Sequence, residues 1–375
     1  MQWVKIDEVL FFQEGPGVRN TQYTSAGVKL LNVANLVDGK VDLSTSDRYI
    51  SEEEAYGKYK HFLCDEGDFI VASSGIKVEY IDKKMGFVDK TMLPLCMNTS
   101  TIRFKVLNPE TLRIRYFMYY LKSQHFKAQL AKHITGSAQL NYGPSHLKKM
   151  VMPLAPLEMQ DEIVEKLDRI QRAIGIREQQ LVKLDELVKS QFVEMFGDPI
   201  LTEKDETLTA LSDSCILKAG KFIKADDISD TRQDGQYPCF GGNGIRGYVS
   251  QFNQEGERPL IGRQGALCGN VQYATGRFYA TEHAVVVTPK GNDINTLWLY
   301  YLLQHLKLER YATGAAQPGI AVNKLEQIRV SIPGIMAQTR FSRFARETDK
   351  SKLAVKQSLE KLETLKKSLM QQYFG

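Results

Sequence analysis

The side chains best suited to reading another molecule's polar edges sit on glycine-rich turns. Residues 237–248, YPCFGGNGIRGY, set Asn243 and Arg246 among glycines and aromatics. Residues 261–265, IGRQG, place Arg263 and Gln264 at the end of a β-rich run. Glycine lets a backbone approach a ligand closely; Asn pairs bidentately with adenine and Arg with guanine. Glu282 and His283, after Thr281, could accept from a cytosine amine or contact phosphate. Towards the N-terminus the matching segment is 72–77, ASSGIK, with Ser73, Ser74 and Lys77 as candidates. Arg19 and Asn20, and Asn98 and Ser100, form weaker sets. Gln139 and Gln317 occupy equivalent loop positions, and either contact DNA or brace their loops. For every one of these segments a plain surface turn is the competing reading.

Catalytic signatures are scarce. No G-x-x-x-x-G-K-[ST] loop occurs, which argues against a P-loop ATPase. Asn108-Pro109-Glu110 breaks the N-P-P-[YF] pattern of amino-methyltransferases, and no nuclease-like Pro-Asp followed by E-x-K is found. Gly15-Pro16-Gly17 and the glycines at 241–244 lack the strand–helix frame of a dinucleotide site. The six histidines do not cluster at ligand spacing, and Asp65-Glu66-Gly67-Asp68 reads as a solvated turn entering a strand. Five scattered cysteines without a C-x-x-C pair read as reduced, buried thiols of a cytoplasmic protein. The expectation is a chain with no catalytic residue, no metal and no cofactor of its own.

These turns need elements to hold them. The 375 residues are 43% hydrophobic and 25% charged, enough for two to three soluble domains with their own cores. A net charge of +5 permits a polyanionic partner. No apolar run is long enough for a bilayer, and the N-terminus does not look like a signal peptide. The sequence also repeats itself. Thr135-Gly136-Ser137-Ala138-Gln139 recurs as Thr313-Gly314-Ala315-Ala316-Gln317, and the same displacement carries Gln160 onto Gln338 and Phe196-Gly197 onto Phe374-Gly375. About 15 of roughly 63 ungapped columns are identical, which marks a duplicated unit.

Each copy ends in a heptad-like helix. Ile163, Leu167, Ile170, Ile174, Leu181, Leu184 and Val188 fall at alternating spacings of four and three, interrupted once at Arg177. Pro153 and Pro156 bar a helix upstream and Gly197-Asp198-Pro199 stops it, giving a rod of about 34 residues, roughly 50 Å. The second seam is Val355, Leu359, Leu362, Leu365 and Leu369, with a more polar first half. Residues 339–375 hold about nine basic against four acidic side chains, residues 161–197 about six against eight, so the second helix is the basic one. Ahead of each helix, β-rich runs alternate with one amphipathic helix, around 115–130 and 297–308. The fold class expected is α+β: two mixed α/β domains, at 1–152 and 199–332, separated by long helices at 153–198 and 333–375. A pseudo-twofold repeat would pair those helices antiparallel.

Domain, helix, domain, helix, with Pro153-Leu154-Ala155-Pro156-Leu157-Glu158-Met159-Gln160 opening the first helix, resembles the specificity subunit of type I restriction–modification systems. That family introduces each conserved helix with a P-L-P-P-L-x-E-Q-like segment. The second copy, Ser331-Ile332-Pro333-Gly334-Ile335-Met336-Ala337-Gln338, has drifted but keeps the Gln. The 236–268 segment is similar to a common class of target-recognition domain. The resemblance implies that each domain reads one half of a split site in double-stranded DNA. It implies that the helices measure the spacer and dock two methyltransferase subunits, and that motor-nuclease subunits join them. S-adenosylmethionine and ATP with Mg²⁺ would then belong to the partners. Two other readings stand beside it: a recognition subunit of a related type II system with a fused methyltransferase-nuclease, and a DNA methyltransferase or nuclease with unfamiliar motifs.

Overall fold

A computed structural model describes residues 2–133, 141–201, 208–265, 267–314 and 318–375. The chain forms two compact units, residues 1–176 with 358–375, and residues 177–357. Each unit takes one globular domain and half of each helix, because the helix ends carry apolar side chains that complete the domain cores. Ile163, Leu167 and Phe374 lie in the first core, and Val188, Phe192, Phe341 and Ala345 in the second.

In the first unit a four-stranded antiparallel sheet runs in the order Leu10–Glu14, Thr101–Val106, Phe69–Ala72, Met85–Phe87. A three-stranded sheet places Val28–Leu31 between Tyr49–Ile50, antiparallel, and Leu95–Met97, parallel. The second unit repeats this plan. Cys215–Ala219, Ala284–Pro289, Arg258–Gly262 and Val271–Ala274 form the four-stranded sheet. Tyr237–Gly241 lies between Gly244–Val249, antiparallel, and Arg277–Ala280, parallel, with Gln254–Glu255 added at the edge. In both units a two-stranded ribbon joins the domain's first strand to the segment just before its long helix.

The expected helix around 115–130 is two, Ile114–Lys122 and Gln124–His133. Ser123 breaks it: its backbone is extended and its Oγ accepts the Phe126 N–H at 3.2 Å, capping the second piece. Its counterpart in the second unit is Thr296–His305, capped by Asn295, whose Oδ1 accepts from the N–H of Leu297 and of Trp298 at 3.1 Å.

The long helices span Leu157–Phe196 and Ile335–Phe374, 40 residues each, roughly 60 Å at 1.5 Å per residue. The first begins six residues before its apolar stripe because Pro156 lies just outside it, where a missing N–H costs nothing. The repeat displacement superimposes their two ends. Arg177 is half-buried and fills the place of the interruption in the apolar stripe. In the second helix Leu365 is 47% exposed and drops out of the seam. Lys366 takes that place, half-buried, with Nζ donating to Gln171 Oε1 at 2.6 Å, so spacing of four and three is kept by a polar residue. The helices run antiparallel in each unit. In the first, Gln171 meets Lys366; in the second, Lys352 Nζ is 2.7 Å from Asp185 and Phe192 packs on Phe341.

Gln160 and Gln338, one turn into each helix, do the same work. Both are fully buried. Gln160 Oε1 accepts the Arg113 N–H at 2.8 Å, and its Nε2 donates to Thr111 O at 2.9 Å and Ala155 O at 2.8 Å. Gln338 Oε1 accepts the Asn295 N–H at 2.7 Å, and its Nε2 donates to Asp293 O at 3.0 Å and Pro333 O at 2.7 Å. Each amide ties the start of a domain helix to the start of a long helix, satisfying backbone groups that a helix N-terminus leaves open.

Candidate nucleic-acid interface

The candidate residues gather at one end of each four-stranded sheet, where strands deliver their turns side by side. In the first unit Gly15 N–H donates to Thr101 O at 2.9 Å, Ser73 N–H to Ser100 O at 2.8 Å, Asn98 N–H to Leu31 O at 3.1 Å and Tyr142 N–H to Ser73 O at 3.0 Å. In the second, Gly220 N–H donates to Ala284 O at 3.0 Å, Arg263 N–H to His283 O at 3.0 Å, Thr281 N–H to Phe240 O at 2.9 Å and Ile320 N–H to Arg263 O at 2.9 Å. Ser74 bridges to Asn141, and Gln264 to Gly319. Gly75 and Gly265 both turn the chain with positive φ, +75° and +88°. The segments 72–77 and 261–265 are thus structural equivalents. Gly15 and Gly220 allow the close approach: a Cβ there would lie 2.0 Å from Asn98 O and 2.1 Å from Ala280 O.

These bonds bring Arg19, Asn20, Ser73, Ser74, Asn98 and Ser100 together in the first unit. Arg19 and Asn20 are exposed, on a loop whose Val18 N–H reaches Asn98 Oδ1 at 3.3 Å. Ser74 is half-buried, and Lys77 is exposed two residues past Gly75. Ser100 holds a left-handed φ of +71°. Asn98 is only 3% exposed. Its Oδ1 also accepts the Thr99 N–H at 2.8 Å, and its Nδ2 donates to Asn32 Oδ1 at 2.9 Å, so its amide braces the turn from inside. Ser73 Oγ and Tyr142 OH are buried without a hydrogen-bond partner among the described residues. Glu14 lies beside them: a Cβ on Gly143 would be 3.2 Å from its Oε2, and burial raises its carboxyl above the ordinary value. Glu14 and Tyr142 escaped the sequence reading. Only their distance along the chain from the serine-rich turn hid them.

In the second unit Asn243, Arg263, Gln264, Glu282 and His283 come together. Gly242 makes this possible, since a Cβ there would stand 3.1 Å from His283 O. Asn243 is exposed, and its Oδ1 accepts from Asn270 Nδ2 at 3.2 Å. Arg246 is exposed on the following strand. Gln264 is exposed at its turn, while Arg263, Glu282 and His283 are half-buried. His283 Nε2 is 3.2 Å from Glu282 Oε1. Thr281, at the head of that segment, is fully buried. Gln139 and Gln317 lie outside the described residues.

Among the described residues nothing else competes as a reactive site. The five cysteines are free and buried, and burial pushes the thiols of Cys64 and Cys96 up to about 12 and Cys215 to about 11. Among the described residues no group of His, Cys, Asp and Glu is arranged to hold a metal, and no helix is long and apolar enough to cross a membrane.

Comparison with known proteins fits this architecture. The profile of the type I restriction modification DNA specificity domain matches twice, at residues 5–186 and 204–364, each time one domain with much of its helix. The EcoprrI type I restriction enzyme specificity subunit of Escherichia coli is 36% identical over 237 residues, 60% of this chain and 58% of that protein. The MjaVIII specificity subunit of Methanocaldococcus jannaschii is 26% identical over 190 residues, 50% of this chain and 43% of its own length. The matches thus span about half the length of these curated relatives. Among solved structures, the type I S subunit from M. genitalium aligns over 100% of this chain and 96% of its own, with TM-score 0.63 and 17% identity. A chain from a structure of type I system assembly and conformational transition aligns over 100% and 97%, with TM-score 0.59 and 17% identity. With two profile matches that together cover most of the sequence, and two copies of one fold to carry them, this chain belongs to the type I restriction–modification DNA specificity family.

Proposed function

We propose that the chain recognises a bipartite site in double-stranded DNA, one half with each domain, and brings methyltransferase and restriction subunits to it without catalysing either reaction. The observation that carries this reading is the duplicated set of turns: two copies of one fold present polar side chains at the same sheet end. A protein with one active site has no need of two such surfaces, whereas a split site requires two readers. The excess positive charge suits phosphate contacts. The long helices are the docking platform for two methyltransferase subunits. Apolar side chains left exposed on them, among them Met159, Leu187, Met336 and Leu353, support that assignment. S-adenosylmethionine, ATP and Mg²⁺ are then handled by the partners, in the cytoplasm. Family membership favours this type I reading over a type II recognition subunit.

Replacement of residues 1–152 by the corresponding domain of another specificity subunit tests the reading. Methylation mapping of the rebuilt complex should show one half of the site changed and the other kept. Both halves changing together would defeat the two-reader arrangement.

A further inference from the structure

The equivalent turns of the two units differ in charge. Ser73 and Ser100 of the first correspond, bond for bond, to Arg263 and His283 of the second, with Thr99 and Glu282 each one residue before Ser100 and His283. In the second unit four side-chain atoms of these turns are buried with no hydrogen-bond partner among the described residues: Arg263 Nε, Thr281 Oγ1, Glu282 Oε2 and His283 Nδ1. Buried polar atoms are almost always paired, and an unpaired charged group is the costliest exception. Arg263, Glu282 and His283 are nonetheless only half-buried, so other atoms of the same side chains reach the surface on these two adjoining turns. The turns are held tightly, since a Cβ on Gly262 would stand 1.9 Å from Gly242 O and Arg263 N–H is bonded to His283 O. His283 Nε2 sits 3.2 Å from Glu282 Oε1, and Oε2 has no partner among the described residues.

We propose that these two turns read one G·C base pair in the major groove, Arg263 donating to guanine and Glu282 accepting from the cytosine amine. The inference rests on the DNA-reading function above and names what the second domain reads. A carboxylate is repelled by phosphates, so a turn that sets Glu282 beside Arg263 suits a base edge and not the sugar–phosphate backbone. The order of groups then selects the pair. G·C presents two adjacent acceptors, guanine N7 and O6, followed by the cytosine N4 amine; A·T places its amine between two acceptors. A guanidinium fork takes adjacent acceptors, and a neighbouring carboxylate takes the donor beyond them. The first unit, with serine and threonine at the three positions, lacks this charged pair. His283 is a positioning residue that steers the carboxylate.

The test selects bound sequences from a pool of randomised duplexes with the full chain, wild type, Arg263→Met and Glu282→Gln. Both substitutions nearly keep size, and thermal melting checks the fold; either variant alone suffices to identify the column. The wild type should recover a bipartite site with a fixed G·C pair in one half. Each variant should loosen that same column, with preference for G·C over A·T falling from about tenfold or more to a few-fold, and leave all other columns intact. The proposal is overturned if the loosened column is A·T, if the variants loosen different columns, or if neither loosens any. A wild type that enriches no sequence would remove the DNA-reading function as well; an intact site in both variants removes only this assignment.

Discussion

The two units share their strand order, their buried glutamine clamps and the backbone bonds that align their turns, yet they differ in what those turns hold. The first unit offers small hydroxyls at Ser73 and Ser100 and an internally bonded Asn98. The second offers Arg263, Glu282 and His283. Scaffold and reader are thus separable within one fold. Backbone atoms set the position of the turns, so their side chains are free to differ. Such a division would let one duplicated domain serve the two different half-sites proposed above.

The largest effects should come from breaking the shared scaffold. Gly15→Ala and Gly220→Ala each drive a methyl group into a carbonyl about 2 Å away, Asn98 O and Ala280 O respectively. Each should cost about 3 kcal/mol of stability, measured by chemical denaturation, because backbone must move to make room. A wild-type stability in one variant and a large loss in the other would break the equivalence of the two turn sets. The clamps come next. Gln160→Leu and Gln338→Leu each strand one buried N–H and two carbonyls, for a loss of about 2–3 kcal/mol. Equal losses sharpen the comparison. A neutral Gln338→Leu would show that the second copy's drifted helix entry no longer needs its clamp.

Much of this scaffold was legible in the sequence, because duplication writes the same constraint twice. The shared Gln and the terminal Phe-Gly aligned the helices, and heptad spacing gave their seams. What escaped was local. Leu365 and Lys366 are neighbours, and apolarity alone favours Leu365 for the seam, whereas Gln171 gives Lys366 a partner there. Ser123 breaks a helix through its own side chain, a competition that apolar periodicity does not register. At the candidate site, composition singles out turns that the fold brings together but cannot tell an inward amide from an outward one. Asn98 faces in and Asn243 faces out, and only the fold separates them. Glu14 and Tyr142 reach the first unit's turns from about 60 and 70 residues away in sequence, which no local pattern reveals.

The readers should show smaller and unequal effects. If Arg263 and Asn243 make bidentate base contacts, Arg263→Ala and Asn243→Ala should each weaken specific binding by roughly 1–3 kcal/mol. Ser73→Ala, at the position equivalent to Arg263, removes a hydroxyl with no partner among the described residues and should cost no more than about 1 kcal/mol. Titration of the selected duplex measures all three. Equal losses at Ser73 and Arg263 would mean that the charge difference between the turns does not matter to recognition.

The smallest effect concerns how each long helix grips its own domain, and here the units are opposite in sign. Asp168 on the first helix pairs with Arg115 Nη2 at 2.8 Å and accepts from Tyr119 OH. Arg346, at the repeat-equivalent position of the second helix, pairs with Glu257 at 2.8 Å, and Tyr273 OH donates to the same carboxylate at 2.7 Å. Burial raises the Glu257 carboxyl, but the bonds from Tyr273 and Arg346 outweigh it and hold the group below its ordinary value. That contribution is present at neutral pH and is lost as pH falls through the lowered value. These side chains remain partly exposed, so each pair is worth under about 1 kcal/mol. Arg346→Asp should destabilise by roughly that amount through repulsion from Glu257, and adding Glu257→Arg should restore most of it. Asp168→Arg with Arg115→Asp should behave alike in the first unit. The recovered energy, read from a double-mutant cycle in low and high salt, should shrink as salt screens it. Failure of either reversed pair to recover anything would assign the grip on that helix to its apolar seam and its buried glutamine alone.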